Sequence, residues 1–176
     1  MRVIRGKYKG RHLPTPTGFK ARPTTDFAKE GLFNILENVY VDFDAAPTAL
    51  DLFAGTGSIS LELASRGCSK VVSIEKDFRH WQFLARVQKE LQAKEWLPLK
   101  GDVFKYVHTC KERYDIIFAD PPYALENLKD IPDVALPLLA DEGLLILEHG
   151  GTYDFSAHPR FIDHRNYGSV NFSFFQ

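Results

Sequence analysis

Between Pro47 and His149 short apolar runs alternate with stretches of helical period. "TALDLFA", "KVVSIE", "WLPLKG", "YDIIFAD" and "GLLILEH" are too short and too continuously apolar to be surface helices, and they read as strands buried in a sheet. Between them lie "SISLELASR", a helix through Phe78, Trp81, Leu84 and Leu91, a short helical piece before "YDIIFAD", and a helix around residues 126–139. Such alternation predicts a parallel sheet with helices on both faces. The tail breaks the pattern. "RFIDHR", a turn at "NYGS" and "VNFSFFQ" predict a closing antiparallel hairpin.

The N-terminal stretch "MRVIRGKYKGRHLPTP" alternates, is interrupted by Gly6 and Gly10, and predicts a small β-hairpin. Pro14, Pro16 and Gly18 make the next stretch a loop. A helix is expected from "PTTD", with a threonine cap and with Asp26 in the first turn, where the helix dipole favours an anion. Ala28, Leu32, Ile35, Leu36 and Val39 would form its apolar face. The expected fold class is α/β and Rossmann-like: a mainly parallel sheet, helices on both faces, a C-terminal antiparallel hairpin, and a preceding hairpin and helix. Residues 1–176 are expected to form one domain, with 1–25 as an extension and 26–176 as the helix plus core.

Composition narrows the class. The 176 residues are enough for one full core, and 44% hydrophobic with 26% charged residues describes a soluble globular chain. No apolar run approaches the roughly 20 residues that span a bilayer. "MRVIRGKYKG" lacks the apolar centre of a signal peptide, so a cytoplasmic location is expected. Cys68 and Cys110 show no paired motif and read as reduced packing residues. The net charge of −1 hides an asymmetry. Residues 1–25 hold Arg2, Arg5, Lys7, Lys9, Arg11, Lys20 and Arg22 and no acid, a segment of +7 that leaves −8 on the other 151 residues. A basic arm on an acidic body suits phosphate binding; a solvated hairpin is the plainer alternative.

Ligands of such sheets bind beyond the C-terminal ends of the strands, where strand order reverses. "DLFAGTGS" stands there. Gly55 and Gly57 would let the backbone approach a ligand, and the next helix would offer its free N–H groups. Ser60 occupies the third glycine position of the dinucleotide fingerprint, and no Lys-Ser/Thr pair makes a Walker A loop. Glu75, 20 residues after Gly55, is placed to accept from both ribose hydroxyls. Asp102 in "KGDVF" could accept from an adenine amine, cap the next helix, or do both. Asp51, inside the strand before the glycines, would repel a dinucleotide's pyrophosphate but suits a ligand with an ammonium group, such as S-adenosylmethionine. A tight turn, an exposed acid at Glu75 and a buried structural acid at Asp51 are the alternatives.

"DPPY" follows "YDIIFA". Both prolines restrict the chain. Their carbonyls, beside the Asp120 carboxylate, would give two acceptors converging on one point, and Tyr123 would offer a flat face for a base. Two acceptors can hold both protons of a planar –NH2 group and direct its lone pair at a methyl sulfonium, so that alignment supplies most of the catalysis.

"DLFAGTG", "IEKD", "GDVF" and "DPPY" resemble the ordered motifs of S-adenosylmethionine-dependent amino-methyltransferases. The flanks "MRVIRGKYKGRHLPTP", "RPTTDFAKEGLFNIL" and "YGSVNFSFF" resemble the RsmD family, and the likeness covers nearly the whole chain. It implies a methyltransferase fold and methylation of the N2 amine of one guanine, a 966-type position, in 16S ribosomal RNA. By that resemblance Asp51, Phe53, Gly55 and Gly57 line the methionine end of S-adenosylmethionine, Glu75 holds the ribose, and Asp102 with Val103 the adenine. Asp120, Pro121 and Tyr123 hold the target base. Arg22, Thr24 and Thr25 lie near the RNA, and Arg5, Lys7, Lys9 and Arg11 are expected to bind it. The implied product is S-adenosylhomocysteine, with no metal. The implied partner is 16S ribosomal RNA within a small-subunit particle or assembly intermediate, with no membrane, and the chain acts as a monomer. Lys29 stands where the family usually has arginine, so a bidentate contact with phosphate or carboxylate would become a single-point one.

Other functions weigh less. An adenine-N6 DNA methyltransferase would share DPPY but usually needs further sequence to recognise DNA. A glutamine methyltransferase of the release-factor type typically has Asn in place of Asp120. A non-catalytic S-adenosylmethionine- or RNA-binding module would have no need of Asp120 beside Tyr123.

Overall fold

The computed structural model describes residues 1–20 and 24–176. Five helices precede or cross over between seven strands: α1 Asp26–Ile35, β1 Thr48–Leu52, α2 Ser58–Arg66, β2 Lys70–Glu75, α3 Phe78–Glu90, β3 Trp96–Lys100, α4 Val103–Thr109, β4 Tyr114–Ala119, α5 Ile131–Ala135, β5 Leu139–His149, β6 Phe161–Tyr167 and β7 Val170–Phe175. The strands form one sheet in the order β3-β2-β1-β4-β5-β7-β6. Pairing is parallel from β3 to β5 and antiparallel for β5–β7 and β7–β6. The chain winds outward from β1 to β3, then crosses back to β4 on the other side of β1. The carboxyl ends of β1 and β4 therefore flank the point where strand order reverses, and a crevice opens there.

Strand side chains alternate between two apolar layers, as the pleat requires. Ile116 and Phe118 enter the layer with α1, α2 and α3, beside Leu32, Phe33, Leu84 and Trp96. Ile117 and Ala119 enter the layer beneath α4 and α5, with Val103, Val107, Leu128 and Leu136. Among the described residues no helix is long and apolar enough to cross a membrane. Cys68 is buried and Cys110 half-buried, and both are free thiols; burial pushes the Cys68 thiol up to about 12, so it packs as an apolar group.

The Rossmann-like expectation is met, and α1 begins where the sequence places it: the Thr25 hydroxyl accepts from Ala28 N–H at 3.2 Å. Several details differ. Val39 is 64% exposed, while Phe33 is fully buried. A π-turn over Leu36–Tyr40 adds a residue to the helical repeat and rotates Val39 off the apolar face. In α3 the buried face is His80, Phe83, Leu84 and Val87, and Phe78 is exposed. The helix expected around 126–139 is instead the short α5 between two 3₁₀ turns, because Pro132 and Pro137 lack the N–H that a longer helix needs.

The N-terminal arm pairs through one bridge, Arg2 with His12, extended by Val3 N–H to Arg11 O at 3.1 Å and Leu13 N–H to Met1 O at 2.9 Å. It lies along α2. Gly6, at φ +89°, is pressed so closely on Ser65 that an added Cβ would sit 1.8 Å from the Ser65 carbonyl oxygen. Fully buried Glu62 accepts from Ile4 N–H and Arg5 N–H, from Arg66 Nε at 2.9 Å and, at 3.3 Å, faces the Lys29 ammonium. Lys29, 1% exposed, also donates to Arg2 O at 2.8 Å and Ser58 Oγ at 2.9 Å. Its single-point contact is thus with an internal carboxylate, and the residue ties the arm to α1 and α2. Burial lowers its pKa despite Glu62.

Candidate active site at the carboxyl ends of β1 and β4

A cavity of about 1040 Å³ occupies the crevice. Its floor is the loop after β1. Phe53 turns at φ +62°, a conformation that costs a side-chain-bearing residue about 1–2 kcal/mol. Gly55 continues the turn at φ +56°. Such strain persists only where the surroundings hold it, and it concentrates at binding sites. The clamp is Glu75 at the end of β2: its Oε2 accepts from Gly55 N–H at 2.7 Å and its Oε1 from Asp77 N–H at 2.8 Å. A carboxylate has about four acceptor sites, so each oxygen retains one for a ligand. The sequence expectation gave Glu75 to a ligand alone; the geometry also makes it the brace of the glycine loop.

Phe53, Gly55, Glu75, Asp102 and Val103 all line the cavity. Asp102 also caps α4, accepting from Lys105 N–H at 3.1 Å, and that bond followed by nearby Lys76 holds its carboxyl below the usual range. Gly57 does not line it. A Cβ there would lie 2.5 Å from Leu84 Cδ2 and 3.0 Å from the Trp96 ring, so this glycine lets α3 and β3 close on the loop from behind. Phe104, not foreseen, joins the wall and meets Phe53 edge-on, 6.4 Å between ring centroids.

Three carboxylates face the cavity's other half. Asp51, 1% exposed, accepts from Ser60 Oγ at 2.5 Å; Ser60 Oγ lies 2.5 Å from Ser73 Oγ, which accepts from Trp96 Nε1 at 2.6 Å. The indole can only donate, so each hydroxyl must pass its own proton onward and the chain of donors ends on Asp51. Burial still pushes the Asp51 carboxyl up to about 7. Asp120 follows β4, and burial, then the charges of Glu148 and Asp51, hold it well above the usual carboxylate range. Glu148, 4% exposed, is pushed by burial up to about 7, with a bond from Thr24 Oγ1 at 2.9 Å opposing the shift. No ion pair within 4.0 Å relieves any of the three among the described residues. Nor are they arranged as a group of three that could hold a metal ion.

Of the two proline carbonyls, Pro122 O closes a turn by accepting from Leu125 N–H at 2.9 Å. Pro121 O accepts from no backbone N–H among the described residues. Tyr123 lines the mouth at 48% exposure. Thr24 and Thr25 also line the cavity, but their hydroxyls serve Glu148 and the α1 cap. Arg22 lies outside the described residues.

The arm's charges divide. Arg5 meets Glu37 at 2.6 Å and Lys7 meets Glu95 at 3.4 Å, so both are offset by acids of the body, at the end of α2 remote from the cavity. Lys9, Arg11 and Lys20 are exposed and have no ion pair among the described residues, and Lys20 lines the mouth.

The family described as Conserved hypothetical protein 95 matches residues 1–176. Over 150 residues the chain is 33% identical to ribosomal RNA small subunit methyltransferase D of Escherichia coli, covering 84% of this chain and 74% of that protein. The solved structure of the Escherichia coli protein yhhF, described as a methyltransferase, superposes with a TM-score of 0.85 at 30% identity, covering 100% of this chain and 97% of that one. A more distant likeness, of fold alone at 21% identity and TM-score 0.70, is to a Thermus thermophilus 16S rRNA N2 G1207 methyltransferase solved with AdoMet and guanosine; it covers 90% of this chain and 44% of that one.

Proposed function

The chain belongs to the RsmD family of rRNA methyltransferases, and on that footing we propose that it methylates the exocyclic N2 amine of a guanine, at a 966-type position, in 16S ribosomal RNA. Residues 1–176 act as one cytoplasmic methyltransferase unit, a monomer, on a small-subunit particle or assembly intermediate. The observation that carries the reading is the convergence of Asp51, Asp120 and Glu148 on one cavity, none of them in an ion pair among the described residues. Buried carboxylates held this way are costly unless a ligand brings positive charge. S-adenosylmethionine fits, having an ammonium and a sulfonium, where a dinucleotide's pyrophosphate would add repulsion.

When bound, S-adenosylmethionine supplies an electrophilic methyl group. Asp51 would accept from its ammonium, with Phe53 and the bare backbone at Gly55 holding the methionine end. Glu75 would give its remaining acceptor sites to the ribose, and Asp102 with Val103 would hold the adenine. Asp120 and the Pro121 carbonyl each accept one N–H of the guanine amine while Tyr123 stacks on the base. That grip turns the nitrogen lone pair away from both acceptors and fixes its direction. The proton that the nitrogen releases passes to an Asp120 oxygen, whose raised affinity for protons suits it as the acceptor.

Asp120→Ala should lower methyl transfer by about 10²–10³-fold, the loss typical of removing one group matched to the reacting atoms. Affinity for S-adenosylhomocysteine, measured by titration calorimetry, should change little. Turnover near that of the wild type would remove Asp120 from the reaction.

A further inference from the structure

The pairing of Ala119 with Leu147 in β4 and β5 sets the next residues, Asp120 and Glu148, side by side at the ends of adjacent strands. Both line the cavity. Glu148 Oε2 is taken by Thr24 Oγ1. Its Oε1 and both Asp120 oxygens have no donor among the described residues, yet no fully buried side-chain oxygen there lacks one. These three oxygens therefore open onto the cavity. The proposed reaction uses Asp120 and leaves Glu148 without a task.

The pairing edge of guanine presents two neighbouring donors, N1–H and the N2 amine. Adenine presents an amine beside N1, which is a bare acceptor. Two ionised carboxylates offer acceptors only. Side by side they match guanine's two donors and face the lone pair of adenine N1 with repulsion. We propose that Glu148, oriented by Thr24, accepts the N1–H of the target guanine while Asp120 holds the N2 amine, and so sets the site's preference for guanine. The Thr24 hydroxyl favours the ionised carboxylate that this contact requires, against the burial that raises Glu148 to about 7. An N1–H donated to Glu148 favours it further, so the right base completes its own receptor. The burial of Glu148 makes the discrimination steep, because a mismatched acceptor pair would be shut away from water.

This inference rests on the guanine-N2 reading, and 2-aminopurine separates the two. That base keeps the N2 amine but has a bare N1. The substrates are small-subunit particles reconstituted on unmodified rRNA carrying guanine or 2-aminopurine at the target nucleotide. The variants are Glu148→Gln and Glu148→Ala. In Glu148→Gln the amide oxygen can still accept from Thr24, which turns the NH2 toward the base, a donor where N1–H needs an acceptor. The guanine to 2-aminopurine ratio of kcat/KM should fall about 10–100-fold in Glu148→Gln and less in Glu148→Ala, with affinity for S-adenosylhomocysteine within about twofold of wild type. An equal loss on both bases overturns the inference, as does an unchanged ratio with weakened S-adenosylhomocysteine binding, which would place Glu148 at the cofactor. Wild-type protein that methylates adenine at N6 would instead overturn the guanine reading itself.

Discussion

Asp51 is fully enclosed, has no ion pair among the described residues, and holds its proton up to about pH 7 against an ordinary 3.8. The folded protein therefore binds this proton more tightly than the unfolded chain. The stability Asp51 contributes is greatest below about pH 4, falls as pH rises through the interval 3.8 to about 7, and levels off above it. Integrated between pH 5 and pH 8, that one carboxyl costs about 2–3 kcal/mol. Asn at this position cannot ionise and can still accept from Ser60. At about 2–4 °C per kcal/mol for a chain of this size, the melting temperature of Asp51→Asn minus that of wild type should rise by about 5–10 °C from pH 5 to pH 8. Asp120 and Glu148 slope the same way in both proteins, and because the Asp51 charge also raises Asp120, its removal adds to the difference in the same direction. Thermal melts followed by circular dichroism without added ligand make the measurement. S-adenosylmethionine affinity should fall in the same variant, because the carboxylate that weakens the empty fold is the one proposed to meet the ammonium. Parallel melting curves across this pH range would refute the argument.

Glu75→Gln keeps the size of the loop brace but replaces one acceptor with a donor, leaving Gly55 or Asp77 N–H facing an NH2 group. S-adenosylhomocysteine affinity should weaken by about 1–3 kcal/mol in calorimetry; unchanged affinity would make the Gly55 contact incidental. For the arm, Lys9, Arg11 and Lys20 replaced together by Ala should flatten the salt dependence of RNA binding, by about 0.7 in log–log slope for each phosphate no longer held. Arg5 and Lys7, already paired with Glu37 and Glu95, should matter less. Identical slopes for the triple variant and wild type would mean that RNA is held elsewhere.

What was legible in the chain was what is local. The glycine turn, the acid ending β2 and the DPPY segment are each recognisable within a few residues, and strand periodicity set all three at carboxyl ends, where the cavity lies. What was not legible depends on pairing between distant segments. Glu148 closes a run, "GLLILEH", that reads as plain buried strand; only its register with β4 brings it beside Asp120, 28 residues earlier in the chain. Thr24 reads in sequence as a residue near the RNA, and its hydroxyl bond to Glu148 is visible only in the fold. Gly57 shares the sequence signal of Gly55, but its neighbours Leu84 and Trp96 come from α3 and β3 and give it a packing task. Lys29 reads as an ordinary helix charge near Asp26; Glu62, on another helix, explains its burial. Val39 fitted a regular helical period, and one π-turn displaced it.

The most direct test is the identity of the methylated nucleoside. Purified protein, tritiated S-adenosylmethionine and small-subunit particles lacking the modification are combined, and the rRNA is digested to nucleosides for mass analysis. Label is expected in N2-methylguanosine at a single nucleotide of 16S rRNA, with initial incorporation lowered about 10²–10³-fold by Asp120→Ala. Label in N6-methyladenosine, or undiminished label with Asp120→Ala, would contradict the assignment of a guanine amine held by Asp120.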